Sequence, residues 1–230
     1  MLDIAANLER VRERLARAAE RAGRRPTDVL LIAVSKTVDL DRVRAAVAAG
    51  VAALGENRVQ EAKGKIAELG RPVAWHLIGH LQTNKARDAV ELFDVIHSLD
   101  RLELARELER RAGARGQVVE ALLQVNVAGE ASKGGVGPDA VAETLDAIGK
   151  LPHVRVRGLM TIPPEVERAA DARPWFRRLR ELGERHGLRE LSMGMSHDFE
   201  VAVEEGATMV RVGTAIFGPR PSRPADAGGA

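Results

Sequence analysis

Residues 30–34 have the sequence LLIAV, and residues 40–49 follow with the sequence LDRVRAAVAA. The first segment is an uninterrupted apolar run of strand length, which is typical of a strand buried on both faces. The second carries apolar residues at helical spacing and stops at Gly50, a residue type that commonly ends a helix. A buried strand followed directly by a helix predicts one β/α unit of a parallel sheet.

The same alternation continues to the end of the chain. Eight apolar runs predict strands, at residues 30–35, 52–55, 74–79, 95–98, 121–127, 154–160, 190–194 and 209–213. Helical patterns separate the later strands, at residues 58–69, 84–92, 102–112, 139–151, 174–186 and 198–205. Before the first strand, Ile4, Leu8, Val11 and Leu15 recur every three or four residues among charged side chains, which indicates an amphipathic helix ending near Gly23.

Eight buried strands joined by helices predict an α/β fold, a single (β/α)8 TIM barrel with an extra N-terminal helix. Crossover helices must cover both faces of such strands, and eight units fit within 230 residues. An open, doubly wound sheet suits the same pattern and is the alternative. We expect the barrel domain to span residues 1–218, and a tail rich in proline and glycine, residues 219–230, to be disordered.

Composition excludes several classes of protein. The chain has no cysteine, so it has no disulfides, thiol nucleophiles, iron–sulfur clusters or thiolate zinc sites. Its 35 basic and 33 acidic residues leave a net charge of +2, and only 3% of its residues are aromatic, none of them tyrosine. A nucleic-acid partner is therefore not expected. Because we find no apolar run of about 18 residues and no signal-like N-terminal segment, we expect a soluble cytoplasmic protein without a membrane partner.

Lys36 stands directly after the first predicted strand, and barrels of this kind carry their sites at the carboxyl ends of the strands. It shares strand parity with Ile32 and Val34, so the three side chains are predicted to point to one side. Walls that exclude water would weaken the preference of the amine for its charged form and make it a nucleophile able to form an imine with an aldehyde. The alternative is an ordinary solvated lysine at a strand end.

Polar residues also follow the last two predicted strands. Ser196 lies where the seventh strand passes into a helix, and its hydroxyl is a candidate helix N-cap. After the eighth strand, Gly213 permits a close backbone approach and Thr214 adds a hydroxyl donor. Barrels often build a phosphate site after strands seven and eight, so the three residues together predict a phosphate cup. Taken separately, each is an ordinary helix start.

Two further polar residues are candidates for contact with a ring. Arg211 shares parity with Met209 in an otherwise apolar strand, and a buried guanidinium needs a partner. A ring nitrogen would be such a partner, and an outward ion pair with a helix carboxylate is the alternative. Asn57, after the second strand, would either cap the next helix or donate to a cofactor hydroxyl.

Several histidines and lysines have no assigned role. His76 and His80 lie four residues apart, about 13 Å along a strand, which is too far to share one metal ion, so no metal is expected. His97 is expected to be a core histidine with satisfied hydrogen bonds. Lys133 is a second amine able to meet an aldehyde or a phosphate, and the function of Lys85 is left open.

Five segments, taken as a set, resemble the pyridoxal 5'-phosphate homeostasis protein family, whose members are also called YggS-like or PROSC proteins. The segments are AVSKTV at residues 33–38, GENRVQE at 55–61, WHLIGHLQTNK at 75–85, LSMGMSHDFEVAV at 191–203 and VRVGTAIFG at 210–218. No single segment is specific, but the ordered set is. Leu77 is smaller, and His197 is bulkier, than the family pattern leads us to expect.

The resemblance implies a monomeric barrel similar to the N-terminal domain of alanine racemase, with pyridoxal 5'-phosphate held as an imine. By the same match, Lys36 is the imine lysine, Asn57 lies beside the cofactor ring, Arg211 faces the ring nitrogen, and the phosphate is held by Ser196, Gly213 and Thr214. It also implies a protein that buffers the cofactor or delivers it to pyridoxal-phosphate-dependent apoenzymes, and that influences amino-acid and keto-acid balance without dedicated turnover.

Two other functions would use the same lysine. One is a pyridoxal-phosphate-dependent amino-acid racemase or decarboxylase. Racemases of the related barrel type use a lysine and an opposing tyrosine as two bases and carry an additional β domain, whereas this chain has no tyrosine and too few residues for that domain. The other is a cofactor-free aldolase, whose lysine forms an imine directly with a sugar phosphate.

Overall fold

Eight strands form one closed parallel barrel in chain order in the computed structural model, which describes residues 3–130 and 132–219. The strands are β1 (Leu30–Val34), β2 (Ala53–Glu56), β3 (Ala74–Leu77), β4 (Val95–Leu99), β5 (Val119–Gln124), β6 (Val154–Met160), β7 (Glu190–Met195) and β8 (Met209–Val212). Ile32 of β1 pairs with Arg211 of β8, which closes the barrel. The predicted (β/α)8 fold is confirmed, and the open-sheet alternative is wrong.

Helices surround the barrel and connect its strands. Those in the described part of the chain are α1 (Ile4–Arg21), α2 (Leu40–Ala48), α3 (Val59–Leu69), α4 (Ala86–Leu92), α5 (Leu102–Gly113), α6 (Val141–Ile148), α7 (Arg173–Arg185), α8 (Phe199–Glu204) and α9 (Thr214–Phe217). Asp3 and Asp39 begin α1 and α2 as N-caps, each accepting a backbone N–H at 2.9 Å. Because α1 precedes the first β/α unit, the extra N-terminal helix is also confirmed.

Some boundaries differ from the sequence prediction for local reasons. Strand β3 ends at Leu77, two residues earlier than predicted. A Cβ at Gly79 would lie 2.4 Å from the carbonyl oxygen of Asn57, so the backbone after β3 packs directly against the segment that follows β2. The short helix α9 was absent from the predicted helices, since four residues show no helical period. Of the tail predicted to be disordered, residues 220–230 lie outside the described residues, and the domain boundary stays a prediction.

The barrel interior is filled rather than hollow. Its apolar side chains come from six of the eight strands and are Ile32, Ala53, Val95, Leu122, Met160 and Met209. A larger core lies between the strands and the helices, with Trp75, Phe176 and Phe199 among its fully buried side chains. Since these apolar side chains fill the interior of the barrel, an open site can form only at one of its ends.

Helix α1 packs against the helices that follow the last two strands. The side-chain amide of Asn7 donates to the carbonyl of Ile216 in α9 at 2.8 Å. Arg14 pairs with Glu200 of α8 at 2.7 Å and stacks over the ring of Phe199. The N-terminal helix therefore supports the part of the chain that carries the predicted phosphate cup.

Across residues 3–130 and 132–219, none of the helices combines the length and apolar character needed to cross a bilayer.

The contact of Gly158 with the neighbouring strand makes a testable prediction for stability. Gly158 of β6 pairs with Glu190 of β7, and a Cβ at this glycine would lie 1.9 Å from the carbonyl oxygen of Glu190. Gly158→Ala should therefore lower the free energy of unfolding by about 1–3 kcal/mol, as overpacking does. Gly64→Ala, in α3 with no atom within 4 Å of the added carbon, should raise it by about 0.5–1 kcal/mol. Denaturant unfolding measures both, and equal effects would contradict the packing account.

Candidate functional site

The carboxyl ends of the strands surround a cavity of about 390 Å³. This volume is within the range of about 300–1,000 Å³ that is common for sites of small organic ligands. The structure brings all six predicted site residues to its walls: Lys36, Asn57, Ser196, Arg211, Gly213 and Thr214. They come from four separate segments of the chain, so their meeting is a property of the fold.

Lys36 is half-buried two residues beyond the end of β1. It lines this cavity together with Val34, and it also lines a small adjoining recess with Gly213 and Thr214. The amine-bearing side chain therefore lies next to the turn that follows β8. This is the arrangement that the strand parity predicted for Lys36 and Val34.

Ser196 joins the turns after β7 and β8. Its hydroxyl oxygen accepts the backbone N–H of Gly213 at 3.1 Å and that of Ala215 at 3.4 Å, at the start of α9. The interpretation of Ser196 as a cap of the following helix is wrong, because α8 has Asp198 at its N-cap position. The serine instead brings a hydroxyl and the first amides of α9 together at one corner of the cavity.

Gly213 allows the end of β8 to pass close to the end of β1. A Cβ there would lie 3.3 Å from the carbonyl oxygen and 3.4 Å from the Cβ of Val34, which is tighter than ordinary packing. Thr214, the next residue, is the first residue of α9. A Cβ at this position would require its surroundings to shift by a few tenths of an ångström.

Arg211 is a buried cation at the floor of the cavity. Its Nη1 donates to Ser192 Oγ at 2.6 Å, and its Nη2 donates to the carbonyl of Thr161 at 2.8 Å. Burial lowers the pKa of Arg211 to about 10, and the charge of Asp198 opposes this shift, so the guanidinium remains charged at neutral pH. The alternative of an outward ion pair with a helix carboxylate is wrong.

Two histidines extend this hydrogen-bonded chain into the barrel. His97 Nδ1 lies 2.9 Å from Ser192 Oγ, and His97 Nε2 lies 2.8 Å from His76 Nδ1. Burial lowers the pKa of His76 to about 4, with Arg157 adding to the shift and Asp94 opposing it. Burial, and then the nearby charges, hold the pKa of His97 well below its ordinary value. Both rings are therefore neutral at pH 7. The hydrogen-bonded series of side chains that runs from Arg211 to His76 carries one net charge, that of the guanidinium.

Sequence reasoning missed the connection between Arg211 and these residues. His97 was expected only to be a satisfied core residue, and Ser192 was not singled out. The available signal was parity, since Ser192 and Arg211 each interrupt an apolar strand. Parity alone could not show that the two side chains meet, because it carries no information about which strands are neighbours.

Asn57 lies between β2 and α3 and lines the cavity. The N-cap position of α3 is Arg58, and no side chain makes a capping hydrogen bond there. The interpretation of Asn57 as a helix cap is therefore wrong. Its half-buried side chain remains available for a ligand in the cavity.

The remaining histidines and lysines of the sequence prediction are not among the residues that line the cavity. His80 is largely exposed and its Nδ1 lies 3.0 Å from Asp100 Oδ2. Lys133 donates to the carbonyl of Pro163 at 2.7 Å and pairs with Glu130 at 2.5 Å. Lys85 ends a short 3-10 turn before α4. In the parts of the chain that the structure describes, no three His, Asp or Glu side chains are grouped to hold a metal ion.

The two residues that depart from the family pattern occupy different environments. Leu77 is fully buried in the core at the end of β3. His197 is exposed and lines the cavity beside Ser196. Only His197 therefore bears on the shape of the site.

Comparison with known proteins matches nearly the whole chain to characterised sequences. The family model of the alanine racemase N-terminal domain matches residues 6–221. A pyridoxal phosphate homeostasis protein from Aquifex aeolicus is 48% identical over 93% of this chain and 96% of its own length. One from Pseudomonas aeruginosa is 50% identical over 96% of this chain and 97% of its own length.

The chain belongs to the pyridoxal phosphate homeostasis protein family.

Solved structures agree with this membership. The family resemblance extends to PipY of Synechococcus elongatus, solved with pyridoxal phosphate bound, which is 42% identical and has a TM-score of 0.81 over 94% of this chain and all of that chain. Alanine racemase from Corynebacterium glutamicum is 19% identical with a TM-score of 0.67, and this chain covers 64% of its length. The racemase therefore shares the barrel fold with this member of the homeostasis family, and the likeness shows nothing further.

The burial of His76 predicts how stability depends on pH. Its folded pKa of about 4 is below the ordinary value of 6.5, so its contribution to stability is complete above pH 6.5 and is lost as the pH falls towards 4. When the pH is lowered from 7 to 5, the free energy of unfolding should decrease in both proteins. The decrease should be about 2 kcal/mol smaller in His76→Gln than in the wild-type protein. Denaturant unfolding at the two pH values measures this difference. A His76 ring that titrates above pH 6 by NMR would contradict the account.

Proposed function

We propose that this protein binds pyridoxal 5'-phosphate reversibly, as an imine with Lys36, and serves intracellular homeostasis of the cofactor by buffering or delivering it. The observation that carries the proposal is the meeting of an amine, a phosphate-binding corner and a buried arginine in one cavity. The family membership and the cofactor bound to PipY support it. When bound, the cofactor supplies an aldehyde that takes up an amine with loss of water.

The phosphate group fits the corner built by Ser196 and α9. A serine hydroxyl, the hydroxyl of Thr214 and the N–H groups of Gly213 and Ala215 lie there, and all of them can donate to phosphate oxygens. The hydroxyl oxygen of Ser196 accepts from both of these N–H groups, which keeps them together at this corner. The amide dipoles at the start of α9 also favour negative charge.

The pyridine ring fits between Asn57 and Arg211. Arg211 is fixed by Ser192 and Thr161 and remains charged, so it can donate to the ring nitrogen but cannot accept a proton from it. A ring nitrogen held in this way stays unprotonated and withdraws electrons weakly. The site is therefore suited to holding the cofactor rather than to stabilising carbanions.

The residue content of the chain favours the carrier proposal over a racemase of the related barrel type, which uses a lysine and an opposing tyrosine as its two bases. The chain has no tyrosine to act as the opposing base. The relatives at 48% and 50% identity are named homeostasis proteins and not enzymes.

The proposal extends to the setting in which the protein acts. We infer a cytoplasmic monomer that passes cofactor to pyridoxal-phosphate-dependent apoenzymes, because delivery requires that carrier and recipient share a compartment. Transfer of cofactor from the loaded protein to an apoenzyme, followed by recovery of the enzyme's activity, tests this extension.

Replacing the imine lysine makes the first functional prediction. Lys36→Ala should abolish the violet-region absorbance of the loaded protein and the covalent product of borohydride reduction, because among the described residues that line the cavity Lys36 is the one lysine. Thermal unfolding should change little, since Lys36 is only half-buried at a strand end. Lys150→Ala, an exposed lysine far from the cavity, is the control and should load normally. A reducible adduct that survives in Lys36→Ala would move the assignment to Lys133 or Lys85.

Removing the two hydroxyl groups of the phosphate corner makes a second functional prediction, which concerns cofactor affinity. Ser196→Ala combined with Thr214→Ala should weaken cofactor affinity by roughly 10- to 100-fold, as expected for lost hydrogen bonds to a charged group. Fluorescence or absorbance titration of the apoprotein measures the affinity. Thr144→Ala, which removes an exposed hydroxyl on α6, is the matched control. Unchanged affinity in the double variant would refute the phosphate cup.

A further inference from the structure

A buried lysine of α3 lies directly behind the turn that carries Lys36. Lys65 Nζ donates to the carbonyl of Ser35 at 2.5 Å, to Glu56 Oε1 at 2.7 Å and to Glu61 Oε1 at 2.8 Å. An ammonium group has three N–H donors, so these three acceptors satisfy it completely. We call Glu56, Glu61 and Lys65 the Lys65 cluster.

The Lys65 cluster holds the residues on both sides of Lys36. On one side, the hydroxyl of Ser35 donates to Glu56 Oε1 at 2.6 Å, and the carbonyl of Ser35 accepts from Lys65. On the other side, the backbone N–H of Thr37 donates to Glu61 Oε1 at 2.6 Å. The backbone of Lys36 is therefore held at both ends by groups from β2 and α3.

The turn at Lys36 has a conformation that needs such support. The N–H of Val38 donates to the carbonyl of Ser35 at 3.0 Å, so Lys36 and Thr37 are the central residues of a tight turn. Thr37 has a φ of 62°, and among the residues that the structure describes it is the one non-glycine residue with positive φ. A β-branched residue adopts this region only where its surroundings over-determine it. The bond from Thr37 to Glu61 supplies that constraint.

The cluster lies on the opposite side of β1 from the cavity. Side chains alternate along a strand, so Ser35 points to the helices while Lys36 points to the barrel mouth. Glu56, Glu61 and Lys65 are all absent from the cavity walls, which include Lys36. The hydrogen bonds of the cluster to Ser35 and Thr37 act on Lys36 through the backbone of the turn.

We propose that the Lys65 cluster is a positioning device, which fixes the backbone of Lys36 so that its amine reaches the aldehyde of the cofactor bound in the phosphate corner. This inference rests on the proposed function. Two carboxylates and a buried lysine are a costly way to join a strand to a helix, since apolar residues of similar volume are often at least as stabilising. The orientation of Lys36 is what these polar groups provide and apolar residues would not.

Glu61 is the residue that tests the proposal with least damage to the fold. In Glu61→Ala, Lys65 keeps Glu56 and the carbonyl of Ser35, so no buried charge is left without a partner. By contrast, replacing Lys65 would strand the buried Glu56, whose pKa burial already raises against the opposing effects of Lys65 and Ser35. Glu61→Ala removes only the bond that holds Thr37 and one of three bonds to Lys65.

The experiment compares two ligands that differ at the reacting carbon. Pyridoxal 5'-phosphate is added to apoprotein and imine formation is followed by absorbance, while binding of pyridoxine 5'-phosphate, which has an alcohol in place of the aldehyde, is measured by titration. Glu61→Ala should slow imine formation by about tenfold or more, because small displacements of a reacting group are costly. Its affinity for pyridoxine 5'-phosphate should stay within about twofold of the wild-type value, because that ligand does not need the amine.

Two further variants serve as controls. Glu61→Gln keeps an oxygen that accepts from Thr37, so imine formation should recover to within about threefold of the wild-type rate. Glu68→Ala removes an exposed carboxylate from the same helix and should change neither measurement. Recovery in Glu61→Gln without recovery in Glu61→Ala shows that the hydrogen bond to Thr37 is what matters.

The outcomes separate this inference from the proposed function. Wild-type loading together with unchanged imine formation in Glu61→Ala would overturn the positioning role alone. Equal losses for the aldehyde and the alcohol ligand would also overturn it, because they would indicate general damage to the cavity. If the wild-type protein formed no borohydride-reducible adduct at Lys36, the proposed function would fail, and the positioning role with it.

Discussion

The pairing of β1 with β8 is the constraint on which the site depends. Because Ile32 lies opposite Arg211, the two strands end side by side although nearly the whole chain separates them. Gly213 then passes close to Val34, and a Cβ at this position would be tighter against Val34 than ordinary packing. Barrel closure therefore brings Lys36 to the same cavity as the corner built by Ser196 and the start of α9.

Beneath the cavity, the barrel interior contains four hydrogen-bonded polar side chains, whereas the rest of the interior described above is apolar. Arg211, Ser192, His97 and His76 are buried, and each bonds to the next. Since burial keeps both histidines neutral, Arg211 is the one charged member of this hydrogen-bonded series of four side chains. A single fixed cation beneath the cavity would hold a pyridine ring without protonating it, which fits a protein that stores and passes on a cofactor rather than one that exploits its electron withdrawal.

The surroundings of Lys36 form two layers with different duties. The inner layer is the cavity, where the amine faces Asn57 and the phosphate corner. The outer layer is the Lys65 cluster, which forms hydrogen bonds with Ser35 and Thr37 on the helix side of the turn. Strand parity predicts which layer a residue faces, but it does not identify the partner that the residue meets there. For that reason the inner residues could be proposed from the sequence and the outer ones could not.

Periodicity by itself determined the eight strands, the seven helices that follow the first seven strands, the helix before them and the side of β1 on which Lys36 lies, because these features depend on alternation along a few neighbouring residues. Only the tertiary structure decided that the sheet closes, that Ser196 holds α9 instead of capping α8, and that Arg211 bonds to Ser192. These contacts join residues from 17 to 179 positions apart in the chain, counting Ile32 with Arg211 as the longest. Local patterns carry no information on such distant pairs, since the pairs are set by barrel closure and by the packing of side chains that meet only after it.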